Sequence, residues 1–216
     1  TGTTNRIGKV DEGSTISDYH PDEIERKISI NASLLHCDWQ GVKINILDTP
    51  GYSDFVGEVI GSLRVADTAV VVIKAVEGTE VGTEIVWNYA REYKTPAVFL
   101  VNKLDNENAK FDHALATTRE RFGHDVTVVQ FPVNQGLAFD SVVDVLRMKL
   151  LKFNRDGSGK FTENDIPADV KQKAESLHEE LIEKIAETDE ELMNKFFEDG
   201  TLKDADLQRG MRMALN

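Results

Sequence analysis

Two short polar motifs close apolar, β-branched runs, and their residue types suit nucleotide chemistry. Asn102-Lys103-Leu104-Asp105 follows Val98, Phe99, Leu100 and Val101, and Asp48-Thr49-Pro50-Gly51 follows Ile44, Ile46 and Leu47. Asp105 can accept two hydrogen bonds from the N1–H and the exocyclic amine of guanine, a donor pair that adenine lacks. Asn102 can hold the loop and reach the base, while the aliphatic stem of Lys103 can cover the ring face. Asp48 can order a Mg2+-bound water, because Mg2+ keeps several waters and takes few protein carboxylates. The backbone N–H of Gly51 can donate to a γ-phosphate, since no side chain blocks the approach. Loss of that bond on hydrolysis would release the segment that follows. Alone, each motif also reads as ordinary, one as a polar strand-to-helix loop and the other as a Pro-Gly turn. In this order, with a helix-sized interval between them, they mark two strand ends of a GTP-binding α/β domain. Ligands in open α/β sheets bind beyond the carboxyl ends of the strands.

The elements that must carry these motifs are legible as periodicity. Residues 31–39 and 42–47 alternate around Gln40-Gly41, which reads as a hairpin. A helix after Ser53 carries Phe55, Val59, Ile60 and Leu63, and 69–75 is a continuous apolar run of the kind buried in parallel sheets. Val81, Ile85, Tyr89 and Tyr93 mark the next helix face, and Phe111, Leu115, Thr118 and Phe122 another, with Gly123 as its stop. The run 126–131 is the last clear core strand. Strands alternating with helices predict an α/β fold, a doubly wound, mostly parallel sheet. Residues 1–31 are polar and aperiodic and read as a mobile switch loop, with a short helix near Pro21. The segment 139–216 reads as an α+β insertion. In it 141–152 is a helix or a strand, Val170, Ala174, Leu177, Leu181 and Ile185 form a helical stripe, and Thr188 and Glu191 have capping-box spacing.

The residues around both motifs resemble the GTPase domain of translational elongation factors, and elongation factor G above all. The matching stretches are Glu25-Arg26-Lys27-Ile28-Ser29-Ile30-Asn31, Ile46-Leu47-Asp48-Thr49-Pro50-Gly51-Tyr52 with Asp54-Phe55, and Ser62-Leu63-Arg64-Val65-Ala66-Asp67. Gly78-Thr79-Glu80 with Thr83-Glu84 and Trp87, Asn102-Lys103-Leu104-Asp105 and Asp144-Val145-Leu146-Arg147-Met148-Lys149 continue it. The resemblance implies a phosphate-loop type GTPase fold, here incomplete, over 1–138, and the family's insertion over 139–216. It implies GTP or GDP and Mg2+ as ligands, with Ser29 and Asp48 on the metal side and Asp48, Gly51, Asn102, Lys103 and Asp105 on the nucleotide. It implies a cytoplasmic, monomeric GTPase acting on the ribosome, whose insertion contacts the ribosomal stalk protein. Glu183, Glu187 and Glu190, at i, i+4 and i+7, would form the anionic stripe for that contact, against the ordinary reading of a solvated helix face.

The departures from the family pattern bear on the chemistry. Arg26-Lys27-Ile28-Ser29 stands where the family has R-G-I-T; Ser29 keeps the hydroxyl, whereas Lys27 restricts the backbone. Tyr52 stands where the family has the His that positions the attacking water. A phenol of pKa near ~10 is a poor general base at neutral pH, so Tyr52, the candidate catalytic residue, predicts slow or partner-dependent hydrolysis. This resembles elongation factor G-like paralogues, and a non-catalytic or very slow ribosome-associated relative stays open beside the GTPase. No G-x-x-x-x-G-K-[ST] loop occurs in the sequence. That predicts an internal piece of a longer protein, inactive by itself.

Composition narrows the remaining classes. A formal net charge of -13 argues against a face that grips nucleic acid unaided. The single Cys37 excludes an internal disulfide framework and reads as a small packed residue. No apolar stretch approaches the ~20 residues of a membrane span. Residues 154–165 resemble a calcium loop, with oxygens at Asn154, Asp156 and Ser158 and a turn at Gly159. However, Asp165 stands where a bidentate Glu is usual, so a glycine-rich turn is the preferred reading. His20, His36, His113, His124 and His178 are scattered and suggest no metal site, and Trp39 and Trp87 read as packing residues.

Overall fold

The computed structural model describes residues 8, 9, 12–123 and 125–214. Residues 1–7, 10 and 11 of the predicted switch loop, together with His124, lie outside the described residues. The chain forms two compact units, one of Thr1–Val71 and Val81–Val98, the other of Val72–Glu80 and Phe99–Asn216.

In the first unit, α1 (Pro21–Arg26) opens with Pro in its first turn followed by Asp22 and Glu23, residues suited to the positive end of a helix. Lys27 ends it in the left-handed conformation, φ 57 and ψ 39. The predicted hairpin is present as β1 (Ser33–Trp39) and β2 (Val42–Asp48), antiparallel, in register from Ser33 opposite Asp48 to Trp39 opposite Val42. Gln40 and Gly41 both take positive φ, 49 and 80, the backbone that matches the twist of a two-residue hairpin. Trp39, expected to pack, is 55% exposed beside this turn. Two further helices follow, α2 (Val56–Leu63) after the 3-10 turn Ser53–Phe55, and α3 (Val81–Glu92). Val59, Leu63, Ala69 and Ala90 form this unit's core, with Val86, Tyr89 and Tyr93 against it. The expected face of α3 is therefore rotated, because Val81 and Ile85 are exposed. Four-residue steps drift about 40° each round a helix, so the stripe that stays on one side runs through positions i, i+3, i+4 and i+7, here 86, 89, 90 and 93.

Strand β3 (Ala69–Lys74) pairs with β4 (Ala97–Asn102). Ala69 N–H donates to Pro96 C=O and Ala75 N–H to Asn102 C=O, so the pairing advances in the same direction on both strands, as parallel strands do. Ala69, Val71 and Ile73 are buried while Val70 and Val72 are exposed. The run expected to be buried on both faces is thus covered on one among the described residues.

The second unit is built on α4 (Phe111–Phe122), stopped by Gly123 at φ 100, and an antiparallel sheet. Its strands are β5 (Gln130–Pro132), β6 (Ser141–Asp144), β7 (Lys149–Phe153) and β8 (Phe161–Asn164), in that order across the sheet. The core strand expected over 126–131 shrinks to three residues paired with β6. Val126 is diverted from a ladder, since its carbonyl accepts from Arg119 Nε at 2.9 Å and lies against α4. Three helices complete the unit, α5 (Ala168–Ala186), α6 (Glu190–Asp199) and α7 (Asp204–Ala214). Ala174, Leu181 and Ile185 of the predicted α5 stripe are buried in a core shared with Phe131, Val143, Leu192 and Leu207. The cap of α6 is Asp189, whose carboxylate accepts from the backbone of Glu191 and Leu192; the expected Thr188 instead donates to Ile185 C=O. No helix among the described residues is long and apolar enough to cross a membrane.

Candidate functional site

Within the first unit the candidate residues gather at one end of the β1–β2 hairpin. Asp48 closes β2, is exposed, and stands opposite Ser33 in the ladder. The Ser33 hydroxyl donates to the carbonyl of Ser17. The next residue, Asp18, accepts from Ser29 Oγ at 2.6 Å and from Thr15 Oγ1 at 3.0 Å. A chain of hydrogen bonds and ladder pairing therefore links Ser29 to the hairpin end that carries Asp48. Pro50 is buried and Gly51 exposed, with nothing within 4 Å of where a Gly51 side chain would begin. Tyr52 is 59% exposed and precedes the 3-10 turn. Glu58 of α2 accepts from Ala32 N–H at 2.8 Å, which ties α2 to the residue before β1.

Two residues that the sequence reading passed over hold this segment together. One is Asp18. The other is Glu23, a carboxylate only 1% exposed. Its oxygens accept from the backbone N–H of Ile30 at 2.9 Å, of Asn31 at 2.9 Å and of His20 at 3.2 Å, and from Asn31 Nδ2 at 3.3 Å. Burial pushes the Glu23 carboxyl up, but the N–H groups of Asn31, Ile30 and His20 outweigh it and bring the group below the usual Glu range. A signal for Glu23 existed in the sequence, because an acidic residue at the third helical position after a Pro start is helix-entry chemistry. Asp18 has no comparable local pattern.

In the second unit, Asn102-Lys103-Leu104-Asp105 leaves the carboxyl end of β4. Asn102 Oδ1 accepts from Lys103 N–H at 2.8 Å, and Asn106 N–H donates to Lys103 C=O at 3.1 Å. Lys103 takes φ 58 inside this pair of bonds. Leu104 is buried, while Asn102, Lys103 and Asp105 are exposed. The loop after β5 braces this one, with Gly136 N–H on Leu104 C=O at 2.8 Å and Gln135 Oε1 accepting from Phe111 N–H, the first amide of α4, at 2.6 Å. Gln135 was not apparent from sequence, since its partner lies 24 residues away.

The acidic stripe is divided by the helix boundary. Glu183 lies in α5, Glu187 is its C-cap and pairs with Lys184 at 2.8 Å, and Glu190 begins α6. The three therefore do not continue down one helix. The calcium-like loop is a hairpin turn between β7 and β8, closed by Asn154 N–H on Lys160 C=O at 2.8 Å. Asp156 accepts from Ser158 N–H and Ser158 Oγ from Lys160 N–H, so those oxygens already hold the turn. Among the described residues no group of three or more His, Cys, Asp or Glu could hold a metal. His178 lies against Val145 C=O at 2.8 Å, and Cys37 is half-buried in β1.

A family model described as Elongation factor Tu GTP binding domain matches residues 1–204. The elongation factor G of Thermotoga maritima is 38% identical over 214 residues, which are 99% of this chain and 31% of that protein. The elongation factor G of Thermotoga sp. strain RQ2 is 37% identical over the same shares of each chain. A crystal structure of a protein from Thermus thermophilus matches with a TM-score of 0.91 at 30% identity, covering 100% of this chain and 32% of that one. The chain thus spans 31% of the length of the curated relatives it matches. With Asn102-Lys103-Leu104-Asp105 at the end of β4, Asp48-Thr49-Pro50-Gly51 at the end of β2 and a family model that takes in both, the chain belongs to the elongation factor Tu GTP binding domain family, a mixed α/β GTPase fold.

Proposed function

We propose that this chain is the GTP-binding and GTP-hydrolysing core of an elongation factor G-like factor that works on the ribosome. The observation that carries the reading is the Asn102–Asp105 loop. Its backbone is fixed by Asn102 Oδ1 and braced by Gly136, and the Asp105 carboxylate is exposed at the strand end. In this role Asp105 accepts from guanine N1–H and its exocyclic amine, Asn102 keeps the loop in shape, and the Lys103 stem lies over the ring. We assign 1–138 to the GTPase domain, a doubly wound sheet in the complete protein, and 139–216 to the family's insertion.

The residues present fit Mg2+. Ser29 offers a hydroxyl oxygen and Asp48 an exposed carboxylate at the same hairpin end, an all-oxygen set of the small size Mg2+ takes from protein. Ser29 would ligate the ion directly and Asp48 through a water; when bound, Mg2+ neutralises phosphate charge. Gly51 leaves its N–H open to a γ-phosphate oxygen. Tyr52 orients the attacking water through its hydroxyl without accepting a proton, so unaided turnover is slow. Glu183, Glu187 and Glu190, all exposed, offer the stalk protein an acidic surface at the α5–α6 junction. A cytoplasmic site of action and a monomeric state accompany this reading.

The test uses the full-length protein. Guanine nucleotides should bind far more tightly than adenine nucleotides, and Asp105→Ala should erase the preference. A site built to pair with a ligand donor discriminates by about 10^4 or more, so partial loss is readily measured. Equal affinity of the wild type for GTP and ATP would end the proposal. Tyr52→His should raise ribosome-stimulated turnover; an unchanged rate removes Tyr52 from the reaction.

A further inference from the structure

The Asp18 carboxylate is buried, at 7% exposure, and both its oxygens are engaged by neutral hydroxyls. Thr15 Oγ1 donates to Oδ2 at 3.0 Å and Ser29 Oγ to Oδ1 at 2.6 Å. Ser29 is the donor in the shorter bond, so its hydroxyl proton points at Asp18. That uses the single donor of Ser29 and turns both its lone pairs away from Asp18. A hydroxyl whose proton is held by a carboxylate is also the more basic oxygen. The backbone beside Asp18 is pinned, because Ser17 C=O accepts from Ser33 Oγ opposite Asp48. Among the described residues no Lys, Arg or His forms an ion pair with Asp18.

We infer that Asp18 is a positioning residue that aims the Ser29 hydroxyl, lone pairs outward, at a divalent cation. The inference rests on the reading of Ser29 as a metal ligand given above. Thr15 fixes the second oxygen and sets the carboxylate plane, so Asp18 presents one orientation to Ser29. This makes the segment around residues 15–29 part of the metal site without adding a direct ligand.

The test is Mn2+ binding to the full-length protein with a non-hydrolysable GTP analogue, read by the electron paramagnetic resonance of free Mn2+. Nucleotide affinity in EDTA is measured in parallel. Asp18→Asn should raise the Mn2+ concentration for half-saturation about 10-fold or more, the usual effect of removing an orienting carboxylate. Affinity in EDTA should stay at the wild-type value, which a merely structural role would lower. Thr15→Val keeps the carboxylate but loosens it, and should shift Mn2+ binding a few-fold in the same direction, whatever the fate of Asp18→Asn. Combining Asp18→Asn with Ser29→Ala should be no worse than Ser29→Ala alone. Wild-type Mn2+ binding in Asp18→Asn and Thr15→Val overturns the inference, as do effects of Asp18→Asn and Ser29→Ala that simply add. If Ser29→Ala itself leaves Mn2+ binding unchanged, the assignment of Ser29 falls and this inference falls with it. If Ser29→Ala weakens binding and the other two do not, only the role of Asp18 is lost.

Discussion

Removing the Glu23 carboxylate should open the segment between α1 and β1. Glu23 is 1% exposed and ties three backbone N–H groups, those of His20, Ile30 and Asn31, to one side chain. Hydrogen bonds to a charged acceptor contribute about 1.5–3 kcal/mol each. They are not additive, and water entering a truncated site takes back part of the loss, so Glu23→Ala should destabilise local closure by about 3 kcal/mol. That corresponds to roughly a 100-fold fall in amide protection at Ile30 and Asn31. Glu23→Gln keeps one acceptor oxygen but turns an NH2 group towards backbone donors, and should lose about 1–2 kcal/mol.

The pH dependence separates the charge from the shape. The folded-state pKa of Glu23 is lowered below its unfolded value, with burial opposing the shift and the Asn31, Ile30 and His20 amides imposing it. A group lowered on folding adds stability above its unfolded pKa, near ~4.3 for Glu, and loses it as pH falls through the folded value. The protection gap between wild type and Glu23→Gln should therefore be full at pH 7 and shrink below about pH 4. Hydrogen exchange followed by mass spectrometry on peptides spanning residues 20–31 reads both effects. A gap of equal size at pH 7 and pH 3.5, or unchanged protection in Glu23→Ala, would refute the reasoning.

Gly210→Ala should destabilise the α5–α7 packing by about 1–3 kcal/mol, because overpacking a filled core forces side chains off their rotamers. The new Cβ would collide with Ile185 Cγ2 and meet Leu192 Cδ1 at 2.9 Å, and amide exchange along α7 would report the loss. Asp189→Ala removes both the α6 cap and an ion pair with Arg209 at 2.8 Å, and should cost about 1–2 kcal/mol in urea unfolding. Thr188→Ala should cost less, and the reverse order would restore Thr188 as the cap. Lys27→Gly should stabilise α1 by up to about 1 kcal/mol, since glycine adopts positive φ without the Cβ clash but adds freedom to the unfolded chain. Slower exchange at Ile28, whose N–H bonds to Glu23 C=O, would register that gain.

What was legible in the sequence followed local rules. The hairpin announced itself through Gln40-Gly41 between alternating runs, and α5 through residues spaced to share one side. The turn at Asn102–Asp105 was legible because Asn102 shapes its own neighbour, a contact of one residue's separation. The misses have non-local causes. Val126–Val128 has strand composition, yet Arg119 of α4 takes the Val126 carbonyl and the ladder shortens. The apolar run of β3 is buried on one side because burial depends on what lies against a strand, which composition does not encode. Glu183, Glu187 and Glu190 kept helical spacing across a helix end that Asp189 sets. Asp18 and Glu23 join residues 7 to 11 positions away across irregular backbone, where no period exists to read.

Among the described residues five that are not glycine have positive φ, and one of them, Lys103, shapes the Asn102–Asp105 loop. Gln40 and Met148 sit in turns between paired strands, Lys27 caps α1, and Lys94 follows α3. Each of those four is the residue at which a regular element must reverse or stop, where the left-handed region is ordinary geometry. Lys103 likewise stands where a strand stops, directly after Asn102 of β4, but no helix follows until Phe111. Its conformation is held from both sides, by Asn102 Oδ1 on its N–H and by Asn106 N–H on its carbonyl. A left-handed residue of this kind costs about 1–2 kcal/mol, comparable to what one or two such hydrogen bonds return. Asn102 is therefore a conformational residue first, and Asn102→Ala should scramble the loop even without nucleotide. The exposed Asp105, three residues after Asn102, inherits its direction from that arrangement, so the guanine selectivity proposed for it should fall in Asn102→Ala although every Asp105 atom remains.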